Sequence, residues 1–317
     1  MTDGDRATVD VCFFALESEF FFDREELCRE GFVHFDEIHL VECESRFRES
    51  FANGSSRTDS HNFWIATKLT SLGCNVALVD RNIEKSTRFA EQLMNTREIH
   101  ERFGRAVAIQ ADLSKSHHVQ DAASRAAESF GGLDIFIDGL MTTDVREFRD
   151  PQALDEIDRM LDVNLRAPLM MTHAVLKFLE GRKRGRIIYL QHDIVRHGLE
   201  KNGLIAATRG GLSDFARVLS REVAPDNVTV NVVSLGISEE FLIQQNNPPG
   251  AQGDRGQGAA AAQNRGSIND ALATLRQGYP RATMVDPDRI ANMIAFLASP
   301  LAAAVTGQTL AVNQGLA

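Results

Sequence analysis

The stretch NVALVD (Asn75–Asp80) decides the fold, because it opens a series of short apolar runs that alternate with longer amphipathic segments. Five further strands are predicted at Ala106–Ala111, Leu133–Ile137, Arg186–Leu190, Val228–Val233 and Thr309–Val312. Helices are predicted between them at Ile83–Phe103, His118–Ser129, Pro151–Leu179 and Ile205–Val223. Short strands that are apolar throughout are typical of a parallel sheet covered on both faces. The alternation therefore predicts an α/β fold, a doubly wound Rossmann-type parallel sheet, in a single domain that spans residues 1–317.

The first strand of this sheet has two candidates ahead of residue 60. We favour VDVCFFAL (Val9–Leu16), and EIHLVEC (Glu37–Cys43) is the alternative. With the first candidate, residues from about 17 to 54 form an insertion rich in Phe and Glu; with the second, the extra residues form an N-terminal extension. A second irregular stretch, from about 246 to 267, is rich in Gly, Gln, Ala and Pro and predicts a mobile loop.

Composition excludes several classes of partner. The formal net charge of -10 disfavours nucleic acid and anionic membrane surfaces. No apolar run approaches the roughly 18 to 20 residues that span a bilayer, and the acidic N-terminus lacks the basic segment of a signal peptide. The four cysteines have no C-x-x-C spacing, so neither a metal site nor a disulfide framework is predicted. A cytoplasmic location is expected.

Several short motifs in order along the chain are individually recognisable. They are Val79-Asp80-Arg81, Ala111-Asp112-Leu113, Leu133-Asp134-Ile135, Asp162-Val163-Asn164-Leu165, Val228-Thr229-Val230-Asn231-Val232 and Val305-Thr306-Gly307-Gln308. On these motifs, the chain from about Gly73 onward resembles the short-chain dehydrogenase/reductase family, especially its ketoacyl reductase-like branch. The resemblance implies the same doubly wound fold, with Asp80 at the ribose and Asp112 at the adenine of a nicotinamide cofactor.

The glycine-rich turn that the family places after its first strand is missing. That turn lets the diphosphate approach the backbone and the start of the next helix. Here it falls on SSRTDSHN, where Ser56, Ser60 and Asn62 stand at the glycine positions and Asp59 adds charge of the wrong sign. We therefore expect no cofactor in this chain, and Asp80 and Asp112 become vestigial positions.

The catalytic positions of the family have changed together. The Asn-Asn-Ala-Gly motif is Asp138-Gly139-Leu140-Met141, and the Tyr-x-x-x-Lys pair is replaced by Ile205 and Arg209. The serine position holds His192, and only the asparagine, Asn164, is kept. The family's tyrosine donates a proton to the developing alkoxide, and isoleucine has no proton to give. We expect no catalytic residue here, so Asn164, His192, Ile205 and Arg209 are vestigial, and Asp138 is a vestigial position of the cofactor site.

The helices and the C-terminal segment through which the family assembles are kept, although the chemistry is lost. This combination predicts a pseudoenzyme that assembles with and supports an active homologous dehydrogenase or reductase. The partner would hold NAD(H) and act on an acyl thioester or a similar hydroxy or keto substrate, in a hetero-oligomer that we expect to be a tetramer. Two alternatives are open: an enzyme with relocated acid/base chemistry around His192, Asp193 and Arg209, and a small-molecule sensor.

Overall fold

The computed structural model describes residues 10–13, 60–97, 103–182, 184–236 and 285–315. These residues form a seven-stranded sheet in the order β3-β2-β1-β4-β5-β6-β7, and every neighbouring pair is parallel. The strands are β1 (Asp10–Phe13), β2 (Asn75–Asp80), β3 (Ala106–Gln110), β4 (Ile135–Asp138), β5 (Arg186–His192), β6 (Thr229–Leu235) and β7 (Thr309–Val312). The predicted doubly wound parallel sheet is confirmed.

Strand β1 lies inside the favoured segment Val9–Leu16 and pairs with both β2 and β4. The structure therefore supports the earlier of the two candidates for the first strand. The alternative segment Glu37–Cys43, the predicted insertion and the predicted loop from about 246 to 267 all lie outside the described residues.

Eight α-helices are described. They are α1 (Ser60–Ser71), α2 (Ile83–Arg97), α3 (Ser116–Phe130), α4 (Ile157–Leu161), α5 (Ala167–Arg182), α6 (Ile194–His197), α7 (Gly203–Glu222) and α8 (Pro287–Ala298). The helix predicted over Ile83–Phe103 was too long, because Phe103 lies outside α2, in the non-helical segment that leads into β3. Among the described residues, no helix combines the length and the apolar character needed to cross a bilayer.

The long helix predicted over Pro151–Leu179 is not continuous. A 3-10 turn spans Pro151–Glu156 and is capped by the Asp150 carboxylate, which accepts from Gln152 N at 2.9 Å. A π-helical turn, Asp162–Arg166, separates α4 from α5. Wider turns of this kind occur mostly as single bulges in helices, frequently at functional sites. Here the bulge carries Asn164.

The sheet is buried on both faces, because neighbouring strand residues point to opposite layers. Phe136 and Tyr189 pack with α3, α5 and α7, whereas Ile135 and Ile188 pack with α1, α2 and α8. Burying such a side chain fully stabilises a fold by about 1.5–3 kcal/mol. The two layers therefore fix the carboxyl ends of the strands, where the candidate site lies.

Candidate active-site cleft

The cleft lies at the carboxyl ends of the strands, around the point where the strand order reverses between β1 and β4. Ligands of open α/β sheets bind at such switch points. The cleft has a volume of about 440 Å³. Asn62, Asp80 and His192 line it, and so do Gly139, Leu140 and Met141 of the changed family motif.

The most distinctive feature below the cleft is a buried ion pair. Arg209, on α7, is only 1% exposed, and its Nη1 donates to Oδ2 of Asp138 at 2.5 Å. Leu140 N donates to the other carboxylate oxygen at 3.3 Å. Burial raises the pKa of Asp138 above its ordinary value, and the Arg209 guanidinium opposes that rise. Among the described residues, Nε and Nη2 of Arg209 have no hydrogen-bond partner.

Neither Ile205, at the family's tyrosine position, nor Tyr189 is placed to donate a proton to a substrate in the cleft. Ile205 is fully buried in α7, one turn before Arg209. Tyr189 is the one tyrosine in the part of the chain that the structure describes, and its hydroxyl lies 2.6 Å from Thr172 Oγ1 inside the core. Burial raises the pKa of Tyr189, so this phenol stays neutral and is held away from the cleft.

The sequence suggested His192 and Asp193 as a relocated acid/base pair. In the structure, the Asp193 carboxylate is engaged by other residues. His192 is 6% exposed and lines the cleft. Asp193 is buried at the end of β5 with both oxygens engaged. Its partners are Ser234 Oγ at 2.8 Å, Asn313 Nδ2 at 2.7 Å, His197 Nε2 at 2.9 Å and Arg196 Nη1 at 3.2 Å. This carboxylate ties the end of β5 to β6, α6 and the C-terminal segment.

Asn164 is fully buried, and its side-chain amide connects separate segments of the chain. Its Oδ1 accepts from Thr142 N at 2.8 Å, and its Nδ2 donates to Thr142 O, also at 2.8 Å. The same Nδ2 lies 3.3 Å from Thr208 Oγ1 on α7. The side chain thus joins the loop after β4 to the π turn and to α7, and its amide is occupied by these contacts.

The predicted nucleotide positions have mostly local partners. Oδ1 of Asp80 accepts from Asn82 N at 2.8 Å. Asp112 accepts from Ser114 Oγ at 2.6 Å and Ser114 N at 3.1 Å, and pairs with Lys115 Nζ at 3.3 Å. The Ser114 hydrogen bonds are the largest cause of a lowered pKa for Asp112, about 2. The Asp112 carboxylate therefore already interacts with donors from neighbouring residues.

The third glycine position of the missing turn carries a contact that the sequence did not reveal. Asn62 lies in the first turn of α1, and its Nδ2 donates to the carbonyl of Gly139, just after β4, at 3.1 Å. Ser60 begins α1, its side chain lies outside the description, and Ser56 lies outside the described residues altogether.

These side chains do not fit a nicotinamide dinucleotide. The Asn62–Gly139 hydrogen bond lies at the switch point, where a dinucleotide would have to cross the sheet edge. Met141 lines the cleft at the glycine position of the family motif. The cation of Arg209, at the lysine position, is engaged by Asp138 beneath the cleft. No described group of three or more His, Cys, Asp or Glu side chains could hold a metal ion.

Comparisons with known proteins consistently match dehydrogenases and reductases. The family model for short chain dehydrogenases matches residues 63–249, and a model for enoyl-(acyl carrier protein) reductases matches residues 257–317. The chain is 29% identical over 216 residues to a 3-oxoacyl-[acyl-carrier-protein] reductase of Vibrio cholerae, a match that covers 67% of this chain and 78% of the relative. It is 27% identical over 257 residues to 2,3-dihydroxy-2,3-dihydro-p-cumate dehydrogenase of Pseudomonas putida, covering 79% and 88%.

A solved structure supports the same fold. An actinorhodin polyketide ketoreductase, crystallised with NADPH, superimposes with a TM-score of 0.65 at 23% identity. The match covers 80% of this chain and 91% of that protein.

Proposed function

Because the chain belongs to the short-chain dehydrogenase family, a family of oxidoreductases, we propose that it is a catalytically silent subunit that assembles with an active member of the same family. The active subunit would hold NAD(H) and transfer the hydride. This chain would stabilise or shape the assembly, expected to be a tetramer, without binding the cofactor itself.

The observation that carries the proposal is the buried Arg209–Asp138 ion pair. A cation that serves a cofactor must reach into the cleft, whereas the Arg209 side chain has no exposed surface and its charge is compensated by Asp138. Breaking this pair would leave a charge buried without a counterion, which is strongly unfavourable. With Ile205 one turn earlier, the helix offers neither a proton donor nor a free cation at these two positions.

Exposed apolar surface on and beside α7 supports the second part of the proposal. Val218, on the outer face of α7, is 57% exposed, and Phe148 is 63% exposed. An apolar groove of about 400 Å³ lies between α4 and α7, lined by Ile157, Leu161, Leu204 and Ala207 among others. Exposed apolar patches of this kind commonly mark interfaces.

The substrate class of the active partner is inferred from the relatives of this chain. One of them is a 3-oxoacyl-[acyl-carrier-protein] reductase. A subunit retained beside an active homologue of that kind would serve an acyl thioester or a similar keto or hydroxy substrate. The fold alone does not choose among these, because one fold serves many substrates.

Native mass spectrometry of the protein purified from its own host tests the proposal. The expected result is a hetero-oligomer with a second family member that carries an intact Tyr-x-x-x-Lys motif, and nicotinamide in that subunit only. A Val218→Asp variant should weaken this assembly, while Glu128→Lys, on the exposed face of α3, should not. A homo-oligomer with one nicotinamide per chain would contradict the proposal.

Relocated acid/base chemistry is the alternative that a specific observation favours, because His192 lines the cleft. Turnover that needs no nicotinamide and disappears in His192→Ala would support it. Asp193 is not available for this chemistry, since its carboxylate has four other partners, and Arg209 is held by Asp138. A small-molecule sensor is the other alternative, and a ligand of the folded cleft would raise the melting temperature.

A further inference from the structure

The apolar groove between α4 and α7 lies against the same buried side chain as the cleft. Two buried residues of the groove lining, Met160 on α4 and Thr208 on α7, both contact the side-chain amide of Asn164. The Nδ2 atom of this amide lies 3.8 Å from Met160 Sδ and 3.3 Å from Thr208 Oγ1. A single buried amide therefore lies directly behind the groove lining.

The same amide holds the segment of the cleft lining that follows β4. Asn164 exchanges two hydrogen bonds of 2.8 Å with the backbone of Thr142. The residues on either side of it, Met141 and Thr143, line the cleft. A displacement of Asn164 would break both hydrogen bonds, and polar groups that lose their partners in this way are costly. The position of Asn164 therefore affects the groove and the cleft together.

Two further contacts connect the helices of the groove to the segment after β4. Arg159, on α4, donates to the hydroxyl of Thr142 and, at 3.3 Å, to the carbonyl of Thr143. Arg209, on α7, pairs with Asp138 at the end of β4. Each arginine is the direct neighbour of a groove-lining residue in its own helix. A change in the packing of either helix is therefore transmitted to the cleft lining.

The π turn gives these groups a second possible arrangement. It separates α4 from α5, carries Asn164, and lines the cleft with Asp162 and Val163. A π turn holds one residue more than an α turn, so its conversion to an α turn would rotate α4 by about 100° relative to α5. This rotation would change the groove lining and the contacts of Asn164 at the same time. Energetic coupling between two sites needs an element with two such arrangements.

We propose that the groove and the cleft are coupled, so that an apolar group that fills the groove favours the π turn and thereby fixes the cleft lining after β4. Such a group packs against Met160 and Thr208 only while the π turn keeps both residues in the groove lining. A group that binds one of two states shifts the population toward that state. The inference rests on the proposed function in one respect, because there the partner subunit supplies the apolar group.

A leucine placed in the groove of the isolated full chain tests the coupling without a partner. Ala207 is exposed and lines the groove, so Ala207→Leu adds an apolar side chain there and keeps a good helix former. In NMR of protein labelled at the methionine methyl groups, we expect shifts of Met160, in the groove, and of Met141, in the cleft. Amide exchange of Thr142 should slow by about four- to fifteenfold, the equivalent of one or two newly buried methylene groups.

Two further variants separate coupling from a general effect of added apolar surface. Thr208→Val removes the hydroxyl that faces Asn164 and keeps the branched shape of the side chain. In this background, Ala207→Leu should still shift the Met160 signal, whereas the shift of the Met141 signal should be reduced. Arg217→Leu, at an exposed position on α7 outside the groove, is the matched control and should shift neither signal.

A second substitution fills the groove from its other end. Gly203, in the first turn of α7, lines the groove and has open space at the position of a Cβ atom, so Gly203→Leu should shift the same two methionine signals. Failure of both leucine variants to shift Met141 would overturn the inference, whatever happens at Met160. That failure would leave the silent-subunit proposal standing, whereas NAD⁺-dependent hydride transfer by the isolated chain would overturn that proposal and not the coupling.

Discussion

At the scale of single residues, the substitutions at the former catalytic positions form a new arrangement. Asp138 and Arg209 are each unexpected against the family motifs, and together they make a 2.5 Å ion pair beneath the cleft. The sequence pointed to both positions but not to their pairing. The one available signal was that a carboxylate, Asp138, replaces a neutral asparagine while the lysine position keeps a positive charge as Arg209. The distance between the two groups could be found only from coordinates.

The ion pair gives a stability prediction with an internal control. Arg209→Met leaves the Asp138 carboxylate buried without a cation and should lower the free energy of unfolding by about 3–5 kcal/mol. The double variant Arg209→Met/Asp138→Leu removes both charges and should recover most of that loss. Urea denaturation measures both, with the exposed Arg217→Met as control. A double variant as unstable as the single one would contradict this account of the pair.

The same carboxyl predicts a pH dependence. Burial raises the folded-state pKa of Asp138 above 3.8, so the folded state binds a proton that the unfolded state releases. The raised pKa of Asp138 therefore contributes most to the free energy of unfolding below pH 3.8. This contribution is lost as the pH rises through the folded-state pKa. Removing the opposing cation in Arg209→Met should raise that pKa further. We expect the variant's deficit relative to the unmodified chain to shrink as the pH is lowered from 7 to 5 in urea titrations. A deficit that is constant with pH would show that Asp138 does not titrate in this way.

At the scale of elements, the strands were predictable and the helix interruptions were not. Runs such as Asn75–Asp80 are apolar except at their ends because both faces of the sheet are covered, and β2 has these same bounds. The π turn at Asp162–Arg166 was invisible in the sequence, since one wider turn hardly disturbs an apolar periodicity. The 3-10 geometry of Pro151–Glu156 had no signal either, because Pro151 stands at the first position, where proline favours the start of a helix of either kind.

The Asp193 carboxylate predicts how the C-terminal strand is held. Its contacts to Ser234 and Asn313 connect the end of β5 to β6 and to the segment after β7. Asp193→Ala would leave several buried donors without an acceptor, so we expect a loss of about 3 kcal/mol in the free energy of unfolding. Hydrogen exchange should show β7 opening more readily than β2 in this variant. Asp214→Ala, at an exposed pair on α7, should change neither property.

A second element-scale prediction concerns the π turn. Asn164→Asp keeps the acceptor for Thr142 N but cannot donate to Thr142 O, so it places a carboxylate against a carbonyl at 2.8 Å. We expect this variant to be destabilised by about 2 kcal/mol or more, measured by thermal unfolding. A stability equal to that of the unmodified chain would mean that the clamp between the loop after β4 and α7 contributes little.

At the scale of the whole molecule, the chain keeps the fold of its family while the cleft has changed. The matched family model and the parallel sheet agree with what the sequence motifs implied. Sequence reasoning could also predict which positions had lost their chemical groups, because an isoleucine at position 205 has no proton in any structure. It could not predict that Asn62 would contact Gly139, which depends on how α1 approaches the end of β4.

The central claim is the proposal that this chain contributes no catalysis to the hetero-oligomer in which we expect it to assemble. The most direct measurement is NAD(P)H oxidation by the purified hetero-oligomer in which the tyrosine of the partner's Tyr-x-x-x-Lys motif is replaced by phenylalanine, with a 3-oxoacyl thioester as substrate. The account predicts that turnover falls to the background of the assay, because Ile205 and the buried Arg209 cannot replace the lost proton donor. Turnover that persists in this complex and disappears on His192→Ala in the present chain would contradict the claim.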